Sequence, residues 1–142
     1  MVDGQAAARS SKELSSLGGT ERDRAERAWK IAKDCSNNDW FKQYSNLVKG
    51  SASLVMNNGL ISALAYYKSK SRSGATEAAA KQLAEDIAHF AFPGARSAED
   101  ALEKLVKLES SSDYMLRTRE VLANLRWLRQ FVDVVKDEAN QS

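Results

Sequence analysis

Apolar residues recur along this chain at steps of three and four, and no stretch alternates with period two. That spacing is the mark of helices with one buried face. Thr20 opens the first: "TERD" resembles a capping box with Asp23 in place of the usual Glu, and Ala25, Ala28, Trp29, Ala32 and Cys35 follow at helical spacing. "SNND" breaks it, and Asn38 or Asp39 can cap the next. There, Trp40, Tyr44, Leu47, Val48, Ser51, Leu54 and Val55 make one stripe that tolerates Gly50. Asn58-Gly59 ends it, because these residues best tolerate positive φ at a helix C-terminus. Leu60, Ile61, Leu64, Ala65 and Tyr67 make the third helix nearly apolar all round, which places it deep in the bundle, and "KSKSRSGA" reads as the loop after it.

Thr76 begins a fourth helix with a narrow stripe of small residues, Ala79, Ala80, Leu83, Ala84, Ile87 and Ala88. Pro93 and Gly94 in "FPGARS" stop it, and "SAED" caps a short fifth helix carrying Ala101, Leu102, Leu105, Val106 and Leu108. The last and longest helix runs from about Asp113 to Asp137, with Tyr114, Val121, Leu125, Leu128, Val132 and Val135 as its stripe, flanked by Trp127 and Phe131. The expected fold is all-α, a compact bundle of about six helices. Residues 1–19, rich in Ala, Ser and Gly and ending at Gly18-Gly19, read as a disordered tail, and 20–142 as a single helical-bundle domain.

Composition narrows the class. The chain is 43% hydrophobic and 28% charged, ordinary for a soluble protein. Its apolar stretches fall short of the roughly 20 residues that cross a bilayer, and Asp3, Arg9, Lys12 and Glu13 interrupt any signal core. One cysteine, Cys35, fits a reducing compartment. A cytoplasmic location without membrane contact is expected. The net charge of +2 hides an asymmetry: residues 1–72 hold 12 Lys and Arg against 7 Asp and Glu, the remainder 9 against 12. That imbalance points to an anionic partner on one face, though it falls short of the basicity of a free-standing nucleic-acid binder.

Candidate chemistry is sparse. His89 is the only histidine, at the end of the fourth helix, where a cation suits the helix dipole. Nothing local pairs it with Cys35 as a nucleophile and base, and one His and one Cys are too few for the usual metal sites. The carboxylates of Glu85-Asp86 and Glu99-Asp100 lie about 100° apart on a helix and do not face one another. No phosphate loop or nucleophile elbow is present. The expectation is a protein that is not an enzyme, with no cofactor and no metal.

Cations offer a binding surface instead. At about 100° per residue, Arg119 and Arg126 lie within about 20° of each other on the last helix. Arg129 and Lys136 are next to them, with Asp133 interrupting the arc. Lys42 and Lys49 align on the second helix, and Lys68, Lys70 and Arg72 crowd the end of the third. Arginine forks and flexible lysines suit phosphate oxygens, which carry no sequence information. Lys42, Lys49, Lys68, Lys70, Arg72, Arg119, Arg126 and Arg129 are the candidate RNA-binding residues.

Three pieces together resemble a known family. "LVMNNGLISALAYYKSK" is similar to the core of the small subunit of type III-B CRISPR (Cmr) effector complexes. "RAERAWKIAKD" resembles that family's first helix, and "YMLRTREVLANLRWLRQFVDVV" its last, with a tryptophan-leucine pair in "LRWLRQF". The likeness spans roughly residues 22–136, while 73–112 carry no matching motif. It implies a compact helical protein without catalysis. It also implies copies that stack as a short filament along the backbone subunits and help to bind guide and target RNA in antiviral defence. Its partners would be other Cmr subunits, neighbouring copies of itself, and guide and target RNA. The small subunit of type III-A complexes would do nearly the same work. A helical protein-interaction adaptor without RNA binding would share the fold.

Overall fold

A computed structural model describes residues 20–70 and 74–141, six helices and no strand among them. They are α1 (Glu21–Ser36), α2 (Phe41–Asn58), α3 (Leu60–Lys70), α4 (Gly74–Ala91), α5 (Ala98–Val106) and α6 (Ser111–Gln141). The expected tail, residues 1–19, and Arg72 lie outside the described residues. No described helix is long and apolar enough to cross a membrane.

Local chemistry sets most boundaries. Thr20 caps α1 reciprocally: its hydroxyl accepts from the Asp23 amide at 3.2 Å, and the Asp23 carboxylate accepts from the Thr20 amide at 3.1 Å. Ser97 caps α5 by accepting from the Asp100 amide, a contact worth about 1 kcal/mol. Gly59 has φ 90, so α2 ends there and α3 starts at the next residue. With no loop to supply a cap, α3 takes one from the far end of the chain, where the Tyr114 hydroxyl accepts from the Ile61 amide at 3.1 Å.

Asn38 and Asp39 do not cap α2. Trp40 holds the N-cap position without a side-chain bond, and the Asn38 amide instead donates back to the carbonyls of Asp34 and Cys35. The side chain satisfies the orphan carbonyls of the helix it follows, since it lies within reach of them. The segment expected as a loop is helical through Lys70, with the Ser69 hydroxyl donating to the Tyr66 carbonyl, and α4 begins two residues before Thr76.

The buried apolar residues form one cluster drawn from all six helices. The most enclosed helix is α4. Its stripe of Ala79, Ala80, Leu83, Ala84, Ile87 and Ala88 is buried, and it packs against α2, α3, α5 and α6. Small side chains let several neighbours approach one axis, whereas a ring of large ones holds them off. On α3, Leu60, Ala63, Leu64 and Tyr67 are buried while Ala65 and Tyr66 are exposed. The longest seam joins α1 to α6. There Val121, Leu125, Leu128, Val132 and Val135 of α6 are buried on the stripe its spacing indicates.

Candidate nucleic-acid interface

The position of α6 decides which cations are available. On one flank it is tied to α1 by polar groups. The Arg24 guanidinium donates to both carboxylate oxygens of Glu120, and Arg27 donates to the Asn124 carbonyl oxygen at 3.1 Å. The Asn124 amide donates in turn to the Glu120 backbone and carboxylate. Further along, Trp29 meets Phe131 edge-on at 5.3 Å. On the exposed arc itself, between Arg126 and Arg129, Asp133 pairs with Lys49 of α2 at 3.2 Å. Near the start of α6, buried Arg117 donates to the Ala91 carbonyl at 2.7 Å and lies 3.9 Å over the Phe92 ring, closing the C-terminus of α4.

With the α1 flank occupied, the outward strip of α6 carries Arg119, Arg126 and Arg129, all exposed, with Asp133 in the same arc. Among the described residues, no carboxylate lies within ion-pair distance of any of the three. Lys42 is exposed on α2. Of the other candidates, the three described ones have contacts within the molecule. Lys49 is partly neutralised by Asp133, Lys68 lies 3.9 Å from Glu99, and Lys70 sits 5.2 Å over the Tyr66 ring. The structure therefore brings together the arginines of α6 and leaves the α3 lysines apart from them, Lys68 toward Glu99 of α5 and Lys70 over Tyr66 of its own helix.

Beside this strip runs a half-open groove of about 510 Å³ between α6 and the start of α1. Trp127 and Phe131 line it, their rings stacked at 5.6 Å and 26°. Val134, 44% exposed, extends the apolar wall, and Arg126, Gln130 and Glu21 stand around it. Helical spacing alone puts Trp127 and Phe131 beside the main stripe. That flanking position is the signal for a groove, but the opposing wall from α1 is visible only in three dimensions.

Neither reactive candidate is poised for catalysis. His89 is exposed, with Nε2 3.2 Å from the Ala95 carbonyl. Cys35 is buried, and desolvation, reinforced by the negative charge of Asp86, pushes its thiol up to about 12, far from a thiolate nucleophile at neutral pH. Asp86 itself is buried and accepts from the Tyr44 hydroxyl at 2.6 Å and from Gln82 at 2.9 Å. Burial raises its carboxyl to about 6, the two hydrogen bonds opposing that rise. Its neighbour Glu85 points elsewhere and accepts from the Ala98 amide at the start of α5. Among the described residues no group of three or more His, Cys, Asp or Glu converges as for a metal ion.

Comparison with known proteins places the fold in a family. The family model for CRISPR-associated protein (Cas_Cmr5) matches residues 20–135, the described bundle almost end to end. The chain is also similar to the X-ray crystal structure of a CRISPR-associated Cmr5 family protein from Thermus thermophilus. The TM-score is 0.69 and the identity 25%, over 82% of this chain and 99% of that one. The family model spans the helical region without interruption, including residues 73–112, which carry no recognisable motif. The chain belongs to the Cmr5 family of CRISPR-associated proteins, the small helical subunit of the type III-B (Cmr) assemblies.

Proposed function

We propose that this protein is a non-catalytic subunit of a cytoplasmic Cmr ribonucleoprotein. Its copies stack beside the backbone subunits, and its α6 arginines face the phosphates of guide or target RNA. The observation that carries the reading is the set of three exposed arginines, Arg119, Arg126 and Arg129, on one strip without carboxylate partners among the described residues. Unpaired guanidinium forks are suited to phosphate oxygens, and such contacts position a strand without reading its bases. The buried, protonated thiol of Cys35 supports the absence of catalysis. One copy offers few charges, so stacked copies along one strand multiply weak contacts. Lys68 and Lys70, drawn toward Glu99 and Tyr66, are assigned to a protein-facing side.

The test is the assembled complex carrying Arg119→Ala/Arg126→Ala/Arg129→Ala. Target-RNA capture should weaken for every guide sequence, and the salt slope should fall by about one for each phosphate that the variant no longer neutralises. Normal assembly with unchanged affinity at every salt concentration would sink the RNA role of this strip. Failure of the variant to enter the complex would make it a protein interface.

A further inference from the structure

We propose that the groove between α6 and the start of α1 receives an unstacked base of single-stranded RNA, laid against the Trp127–Phe131 pair with its phosphate on Arg126. This rests on the RNA reading above and adds a distinct claim, that rings as well as phosphates are recognised. Size permits it: about 510 Å³ falls within the roughly 300–1,000 Å³ usual for small-molecule sites, room for a base and its ribose. Chemistry favours it. Trp127 and Phe131 both line the groove and already stack at 5.6 Å, so an added planar ring can continue the stack. Every base has a π-face, which makes such stacking tolerant of sequence.

Charge decides how the nucleotide would lie. Arg24 also borders the groove, but its guanidinium is committed to Glu120 at 3.0 Å. Arg126 has no such partner, and Arg119, two turns earlier on the same face, leads a strand toward it. Glu21 stands on the α1 side and repels a phosphate there, so the phosphate belongs on the α6 side. The Glu21 carboxylate then accepts from an exocyclic amino group, and the Gln130 amide, both donor and acceptor, can meet a base edge. An apolar protein side chain would fill the same wall but leaves Arg126 without a role, which is why RNA is the occupant argued for.

The experiment compares three probes at low salt with the isolated protein and with the assembled complex. They are a short single-stranded RNA, the same strand made entirely of abasic ribose, and the duplex. The single strand should quench indole emission and bind more tightly than the abasic strand or the duplex. Trp127→Leu should weaken it about tenfold while leaving abasic binding unchanged. Trp127→Tyr should keep the affinity and lose most of the quenching, because a stacking ring remains while Trp29 and Trp40 do not face the base. Should Trp127→Leu fail to fold, Val134→Asn places a neutral polar group on the apolar wall at a 44% exposed position and should weaken the single strand alone. Equal binding of abasic and natural strands would overturn the base site and leave the phosphate reading standing. Absence of binding to every probe in both preparations would overturn both. Retained RNA binding with lost entry of Trp127→Leu into the complex would show that the groove takes a protein neighbour, and would overturn the proposal.

Discussion

Two buried polar clusters hold this bundle together in opposite ways. At the α1–α6 seam, Glu120 is buried but meets a guanidinium, so its charge is compensated by Arg24, with Asn124 and Arg27 taking the remaining capacity. At the α2–α4 junction, Asp86 is just as deep, yet only neutral donors reach it, the Tyr44 hydroxyl and the Gln82 amide. The first cluster fixes how α6 lies against α1 and thereby which arginines face outward. The second is a carboxyl whose ionisation works against folding. A buried charge is tolerable when paired, and when it is not, burial raises its pKa.

Three measurements break or sharpen that contrast. The largest effect belongs to Glu120→Ala, which strands a partly buried guanidinium and removes an acceptor from Asn124. It should cost about 3 kcal/mol in denaturant unfolding. Arg24→Ala/Glu120→Ala should recover part of that loss, and a double variant no better than Glu120→Ala would mean the pair is not coupled.

Asp86 comes next, through pH. Its folded carboxyl is raised to about 6 from an ordinary 3.8, so between these values the folded chain holds a proton that the unfolded chain has lost. Stability from this group is therefore fully present below the lower value, falls as pH rises through the window, and is flat above it, a change on the order of 2–3 kcal/mol. Asp86→Asn should flatten that fall relative to the parent. Identical unfolding profiles of the two proteins from pH about 4 to 7 would show that the carboxyl is not perturbed.

The smallest effect is Tyr44→Phe. Removing the 2.6 Å donor should push the Asp86 carboxyl further up and cost about 1–2 kcal/mol at neutral pH, less at pH about 4 where the acid is already protonated. A cost independent of pH would assign it to packing alone.

Much of the bundle is legible in the sequence because its signals are local. The Thr20–Asp23 and Ser97–Asp100 caps act over three residues, Gly59 over one, and the stripes of α2 and α6 follow from helical period. What escapes a sequence reading are pairings across long separations. Arg24 and Glu120 are 96 residues apart, and Tyr44 and Asp86 are 42 apart. By sequence Asp86 is only half of an adjacent acidic pair whose carboxylates do not face one another, and nothing marks Glu120 or Asn124. That α4 is the most enclosed helix is likewise hidden from the sequence, because the close approach that its alanines permit depends on four neighbours at once.

The eight candidate cations show the same division. Their spacing on each helix follows from the sequence, because 3.6 residues per turn places Arg119 above Arg126 in any α-helix. Only the fold separates the exposed arginines of α6 from Lys49 against Asp133 and Lys68 near Glu99, since each of those acidic partners comes from another helix. The sequence by itself determined the helices, the caps of α1 and α5, most apolar faces and the family likeness, products of short-range backbone and side-chain preferences. The tertiary structure decided which helix is central, which buried charges are compensated, and which cations and aromatic rings stand together on one face. Those outcomes depend on distances between residues that the chain order keeps far apart.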